Sequence, residues 1–280
     1  MGYLSDTVET RRVEGRFSTY AYRDFGVASA APPLVLLTRF KATMDHWDPA
    51  FLDALAAERR VIVFDNAGVS ESTGEVPASF ALAAEGVVDF VGALKLGEVD
   101  LLGWSIGGFA GQMVALNHPG VARRLLVLGS GPGGVPGTPQ MDPRVLELMV
   151  APENGDEDYL FLFFGHNEDG RQAGLKSLRR LDFRLSRSRA AITPEAWGRQ
   201  LEAIQKWAPG NGSAWSRLEE IKIPVLVANG AHDVMVRSED SFAMVKRMTN
   251  ATAVLYGDSG HAFLFQHPEK FGKVALEFLR

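Results

Sequence analysis

The stretch VDLLGWSIGGFAGQMVALN, residues 99–117, is where the fold of this chain becomes readable. Val99–Leu102 is a short apolar run of strand character, and Ile106–Asn117 repeats its apolar residues at the 3.6-residue period of a helix. Between them lies the pentapeptide Gly103-Trp104-Ser105-Ile106-Gly107, a GxSxG pattern. The pattern alone is weak, and its strand–turn–helix setting makes it informative. Small residues let the chain turn sharply enough to project a serine hydroxyl while the backbone holds a strained geometry. Gly108 and Gly111 follow at positions where a helix would pack closely on a sheet. Ser105 also stands at a helix amino terminus, where free N–H groups and the dipole favour an oxyanion. The competing reading, a glycine-rich turn with an incidental serine, does not account for this context.

Working outward, apolar runs rich in β-branched residues recur at Leu34–Leu37, Val61–Phe64, Leu125–Leu128, Ile223–Ala228 and Thr252–Tyr256. They read as strands buried on both faces, as a parallel sheet requires. Helical patterns lie between them at Trp47–Ala57, Phe80–Leu96, Glu239–Met248 and Pro268–Leu279. Strand alternating with helix predicts an α/β layered fold with right-handed crossovers. Val13–Tyr22, where apolar and polar residues partly alternate, reads as an antiparallel edge strand or hairpin.

From about Gly131 to Trp215 the alternation breaks: the loop GPGGVPGTPQ leads into mostly helical patterns with no strand signal. The aromatic run Tyr159–Phe164 and the tryptophans Trp197, Trp207 and Trp215 are too apolar for a solvated linker. The expectation is a helical cap over residues 131–215, inserted into an α/β core of residues 1–130 and 216–280.

Composition narrows the chemistry. The 280 residues carry a formal charge of −5 with 46% hydrophobic content, which excludes disorder and gives no global field for nucleic acid or an anionic membrane. With no cysteine, a disulfide framework, thiolate catalysis and Cys-based zinc sites are excluded together. No apolar run has signal-peptide or membrane-span length, so a cytoplasmic protein is expected. The expected partner is a small-molecule acyl substrate, with homo-oligomerisation left open.

A neutral serine needs a base, and six histidines are available. His118 and His267 each precede a proline and read as helix-terminal residues; His166 belongs to the cap; His46 lies in the loop after Leu34–Leu37, where it could line the site mouth. His232 neighbours the acid candidate. His261, in the loop GDSGHAF beyond the last strand, is at the end of the sheet where open α/β folds place their sites. Asp233, in NGAHDVMV after the next-to-last strand, fits the acceptor that fixes the histidine tautomer; Asp258, the competitor, reads as shaping its own loop. The chain order is then Ser105, Asp233, His261.

With these residues in view, the chain resembles an α/β-hydrolase-fold protein of the carboxylesterase and cofactor-free haloperoxidase-like branch. The likeness spans essentially the whole length and rests on the elbow GWSIGG, the acid loop NGAHDVMV, the histidine loop GDSGHAFLFQHPE and the segment FDNAGVSES. It implies an eight-stranded, mostly parallel sheet with the cap inserted after the sixth strand, a Ser-His-Asp triad, and no cofactor or metal. It also implies an oxyanion hole from the N–H groups of Ile106 and Phe40. There the chain departs from its resemblance group, reading Thr38-Arg39-Phe40 where His-Gly and an apolar residue are usual. Arg39 is therefore a pocket candidate, with an arginine turned to solvent or paired with Asp45 as the alternative. Ser70 replaces another customary glycine, with only local packing expected to change. Trp104 and His46 are the other pocket candidates.

In the cap, GLKSLRRLDFRLSRSR places Lys176, Arg179, Arg180, Arg184, Arg187 and Arg189 among leucines at helical spacing. A solvated face, contacts with acidic loops or a subunit, and recognition of an anionic substrate compete for it. The function expected is a serine hydrolase cleaving an ester, lactone or similar acyl substrate through an acyl-enzyme. The alternatives are perhydrolase or haloperoxidase activity, carbon–carbon bond hydrolysis, and, from another class, a ligand receptor on the same fold with little turnover.

Overall fold

A computed structural model describes residues 2–28, 30–188 and 191–280. The strands are β1 (Arg11–Glu14), β2 (Thr19–Gly26), β3 (Leu34–Leu37), β4 (Arg60–Phe64), β5 (Val99–Trp104), β6 (Ala122–Leu128), β7 (Val225–Gly230) and β8 (Ala251–Tyr256). They pair in one sheet in the order β1-β2-β4-β3-β5-β6-β7-β8. β1 and β2 form an antiparallel hairpin, β2 lies antiparallel to β4, and the remaining neighbours are parallel. The sheet is the eight-stranded, mostly parallel one that the resemblance implies.

The longer helices are α1 (Pro49–Ala56), α2 (Phe80–Ala93), α3 (Ile106–Asn117), α4 (Pro143–Val150), α5 (Asp156–Phe163), α6 (Glu168–Leu185), α7 (Pro194–Trp207), α8 (Ser238–Arg247) and α9 (Pro268–Phe278). Strand periodicity sends alternate side chains to opposite faces of the sheet. In β3, Val35 and Leu37 join Phe90 of α2 and Val114 of α3, while Leu34 and Leu36 join Phe51 of α1 and Phe271 of α9. Both faces are therefore cores, which is why the parallel strands read as unbroken apolar runs. Full burial of each large side chain contributes roughly 1.5–3 kcal/mol.

Local chemistry trims two helices from their expected ends. The first starts at Pro49 and not at Trp47, because Asp48 caps it by accepting the Ala50 N–H at 2.9 Å. The second stops at Ala93 because Lys95 takes a left-handed conformation with φ of 53°.

The segment between β6 and β7 is helical, with α4 to α7 succeeding one another after the sixth strand. Trp207 of α7 stacks on Phe109 of the core with centroids 5.0 Å apart, and Phe163 of α5 packs 5.9 Å from Trp104. Two arginines of α6, Arg180 and Arg184, reach core carboxylates, while Lys176 and Arg179 are exposed to solvent. Arg180 pairs with Asp48 at 2.6 Å, and Ser177 donates to the same carboxylate. Arg184 donates to the carbonyls of Asp6 and Val8 and stands 3.4 Å from Asp45. No residue of α6 lines the site cavity described below, which removes anionic-substrate recognition from that helix. Arg189 lies outside the described residues. Among those residues, no helix is long and apolar enough to cross a membrane.

Candidate active site

Ser105 sits between β5 and α3 with φ 57° and ψ −121°, a conformation that L-residues rarely adopt. The flanking glycines are required by close approach. A Cβ on Gly107 would overlap the Leu37 carbonyl of β3, and one on Gly103 would overlap the carbonyl of Gly107. Ser105 is held from both sides of its peptide: its N–H donates to Leu128 O at 2.9 Å, and its carbonyl accepts from Ser130 Oγ at 2.8 Å. Ser130 was not singled out from sequence, although its place directly beyond β6 is a usable signal.

His261, beyond β8, is completely buried, and its Nδ1–H donates to Asp233 Oδ2 at 2.6 Å. Asp233, beyond β7, is oriented by its other oxygen, which accepts the Met235 and Val236 N–H groups at 2.8 and 2.9 Å. The acceptor-only carboxylate selects the Nδ1–H tautomer and leaves a lone pair on Nε2. Nε2 has no hydrogen-bond partner among the described residues, and His261 and Ser105 line one cavity. Asp258 serves its own loop, pairing with His267 at 3.0 Å and accepting from Ser259. His118 pairs with Glu85 at 3.0 Å.

Trp104 does not line the cavity. It follows Leu102 on the β5 face that packs against Trp47 and Phe265, and its indole N–H donates to the His261 carbonyl at 3.1 Å. It supports the histidine from beneath. His46 is likewise absent from the cavity wall. Its Nδ1 accepts from Thr43 N at 3.1 Å, and burial, then the positive charge of Arg39, push its pKa down to about 3.

The loop after β3 carries the other expected groups. Phe40 and Ile106 both line the cavity, and among the described residues neither backbone N–H donates to a protein acceptor. Arg39 is neither turned to solvent nor paired with Asp45, which Arg23 engages at 2.6 Å. Its guanidinium instead faces the rings of Phe163, Trp104 and Tyr159 at 4.7, 5.6 and 5.9 Å, with Nη1 donating to Phe40 O at 2.8 Å. Burial draws its pKa down, and the Tyr159 phenol opposes that shift. Lys41 was not anticipated; it lines the same wall, donates to Ala151 O, and has its pKa lowered by burial and by Arg39.

The cavity has a volume of about 620 Å³, large enough for a small organic substrate. Ser105, Ile106 and His261 line it from the sheet side, and Val145, Phe161 and Leu162 line it from the helical segment between β6 and β7. Most of its wall is apolar. The arrangement places a strained serine, an oriented imidazole and two free backbone donors around one cavity.

A family model described as the alpha/beta hydrolase family matches residues 40–274. The chain belongs to that family. It is 30% identical to a 2-hydroxy-6-oxononadienedioate/2-hydroxy-6-oxononatrienedioate hydrolase of Burkholderia vietnamiensis (strain G4 / LMG 22486), across 92% of this chain and 90% of the relative. It is 26% identical to a RutD protein of Caulobacter sp. (strain K31), provisionally named a carbamate hydrolase, across 91% and 92% of the two chains. Among solved structures, an alpha/beta hydrolase fold protein from Chitinophaga pinensis superposes with a TM-score of 0.87 at 32% identity, covering 98% of each chain. The protein is thus a hydrolase of the α/β-hydrolase superfamily.

Proposed function

We propose that the protein is a serine hydrolase that cleaves a small, largely apolar ester or lactone through an acyl-enzyme. Ser105 attacks the substrate carbonyl while His261 Nε2 takes the hydroxyl proton. Asp233 holds the imidazole in the required tautomer and stabilises the imidazolium that forms. The Phe40 and Ile106 N–H groups receive the developing oxyanion, each removal costing about 2.7–4 kcal/mol of barrier in comparable sites. His261 returns its proton to the leaving alcohol, and a water activated by the same Nε2 releases the acid. The observation that carries this reading is the 2.6 Å bond from His261 to Asp233, whose carboxylate is oriented by two backbone N–H groups.

A second reading draws on the 30% identity to the Burkholderia vietnamiensis hydrolase. Carbon–carbon hydrolysis would use the same groups, with the carbonyl of a ketone as the electrophile and a stabilised carbanion as the leaving group, protonated as the bond breaks. A panel of aryl esters, lactones and vinylogous 1,5-diketones, assayed with wild type and Ser105→Ala, separates the two. Ester or lactone turnover lost on substitution supports the first reading. Turnover confined to the diketones replaces it with the second, and no turnover of any class by folded wild type overturns both.

A further inference from the structure

Arg39 and Lys41 flank Phe40 in the loop after β3, and both line the cavity shared by Ser105 and His261. Arg39 is only 7% exposed. Of its five N–H donors, one meets the Phe40 carbonyl and another the Tyr159 phenol, and aromatic rings take much of its remaining surface. Among the described residues, neither cation has a carboxylate in ion-pair contact. The nearby acid Asp45 is occupied by Arg23 and Arg184. Of the three carboxylates among the described residues of the cavity wall, Asp233 is bonded to His261, Asp142 caps α4 by accepting the Arg144 N–H, and Asp240 lies beside Thr138 and Gly131.

Burying a cation without a counterion is costly, and cation–π contact offsets only part of that cost at a desolvated site. A guanidinium in this position retains donors in a fixed fork suited to bidentate carboxylate binding, and Lys41 adds a second positive charge to the same wall. The rest of the wall is mainly apolar in area, with Asn154, His166, Asp142, Asp240 and an Arg237 already paired with Glu239 among its other polar groups.

We infer that Arg39, assisted by Lys41, forms a subsite for a carboxylate carried by the substrate, so that the protein acts on acyl compounds bearing an anionic group besides the scissile bond. This rests on the serine-hydrolase reading, and the test keeps the two apart. Hydrolysis of monomethyl adipate, an anion at pH 7.5, is compared with that of dimethyl adipate, corrected for its two equivalent esters, in wild type, Arg39→Gln and Arg39→Lys. Wild type is expected to favour the anion in kcat/KM by about tenfold or more, Arg39→Gln to lose that ratio, and Arg39→Lys to keep part of it, whatever the absolute rates. Calorimetric titration of Ser105→Ala with monomethyl adipate, with and without Arg39→Gln, reads the subsite without any turnover. Saturable binding weakened about tenfold or more by Arg39→Gln supports the subsite even when no ester is cleaved. A wild-type ratio near one, a ratio that survives Arg39→Gln, or binding indifferent to Arg39 overturns it.

Discussion

Replacing Asp233 by asparagine tests the catalytic geometry with almost no change of shape. In the native site, Asp233 Oδ1 accepts two N–H groups, from Met235 and Val236, while Oδ2 accepts the His261 Nδ1 proton. An amide has one acceptor oxygen and one donor nitrogen. If the nitrogen faced Met235 and Val236, it would set donors against donors at distances of 2.8 and 2.9 Å, so the oxygen must stay there. The nitrogen then points at His261 and donates to Nδ1, which moves the ring proton to Nε2. The imidazole is held in place but has no lone pair toward Ser105. By analogy with serine proteases altered in this way, kcat should fall about 10⁴-fold, equivalent to about 5 kcal/mol of barrier. Steady-state hydrolysis of an activated aryl ester gives the rate, and urea unfolding shows that the variant remains folded. Retention of more than about a tenth of wild-type kcat would refute the assigned tautomer, and with it the role of Asp233.

Three further outcomes are expected. Ser105→Gly should be more stable than Ser105→Ala by about 1 kcal/mol or more, since glycine relieves the positive-φ strain at the elbow; equal stabilities would remove the strain argument. Arg180→Met should cost about 3 kcal/mol in urea unfolding because it strands the buried Asp48 carboxylate beneath the cap, and a loss below about 1 kcal/mol would show that this pair does not hold cap to core. Burial, reinforced by Asp45, pushes the Asp65 carboxyl up to about 7 against the pull of the Met44 N–H, so its neutral form favours the fold. Stability should therefore decline as pH rises from about 4 towards 7, and Asp65→Asn should gain on wild type by more than about 1 kcal/mol between pH 5 and pH 8; a difference independent of pH would contradict this.

The core was legible because each of its signals is local. The parallel strands announce themselves as apolar runs, and the GWSIGG elbow is fixed by contacts that only glycine allows against Leu37 and Gly107. Asp233 and His261 could be selected because strand ends position them whatever surrounds them. Trp104 shows where neighbourhood in sequence misleads: it adjoins the serine, yet strand alternation carries its ring beneath His261 with Leu102. Arg39 was recognisable as unusual, but its surroundings come from Tyr159 and Phe163, more than a hundred residues away. The basic helix was similarly open, because solvent and a buried carboxylate select the same arginine-rich face. Its partner Asp48, a helix cap by its local sequence, gains its second role only when the cap docks.

Intact-protein mass spectrometry after treatment with a fluorophosphonate, followed by peptide mapping, tests Ser105 as the nucleophile most directly. One stoichiometric adduct on Ser105, absent from Ser105→Ala and formed far more slowly in a His261→Ala variant, is the expected result. Folded wild type that forms no adduct, or an adduct that persists in Ser105→Ala, would contradict it.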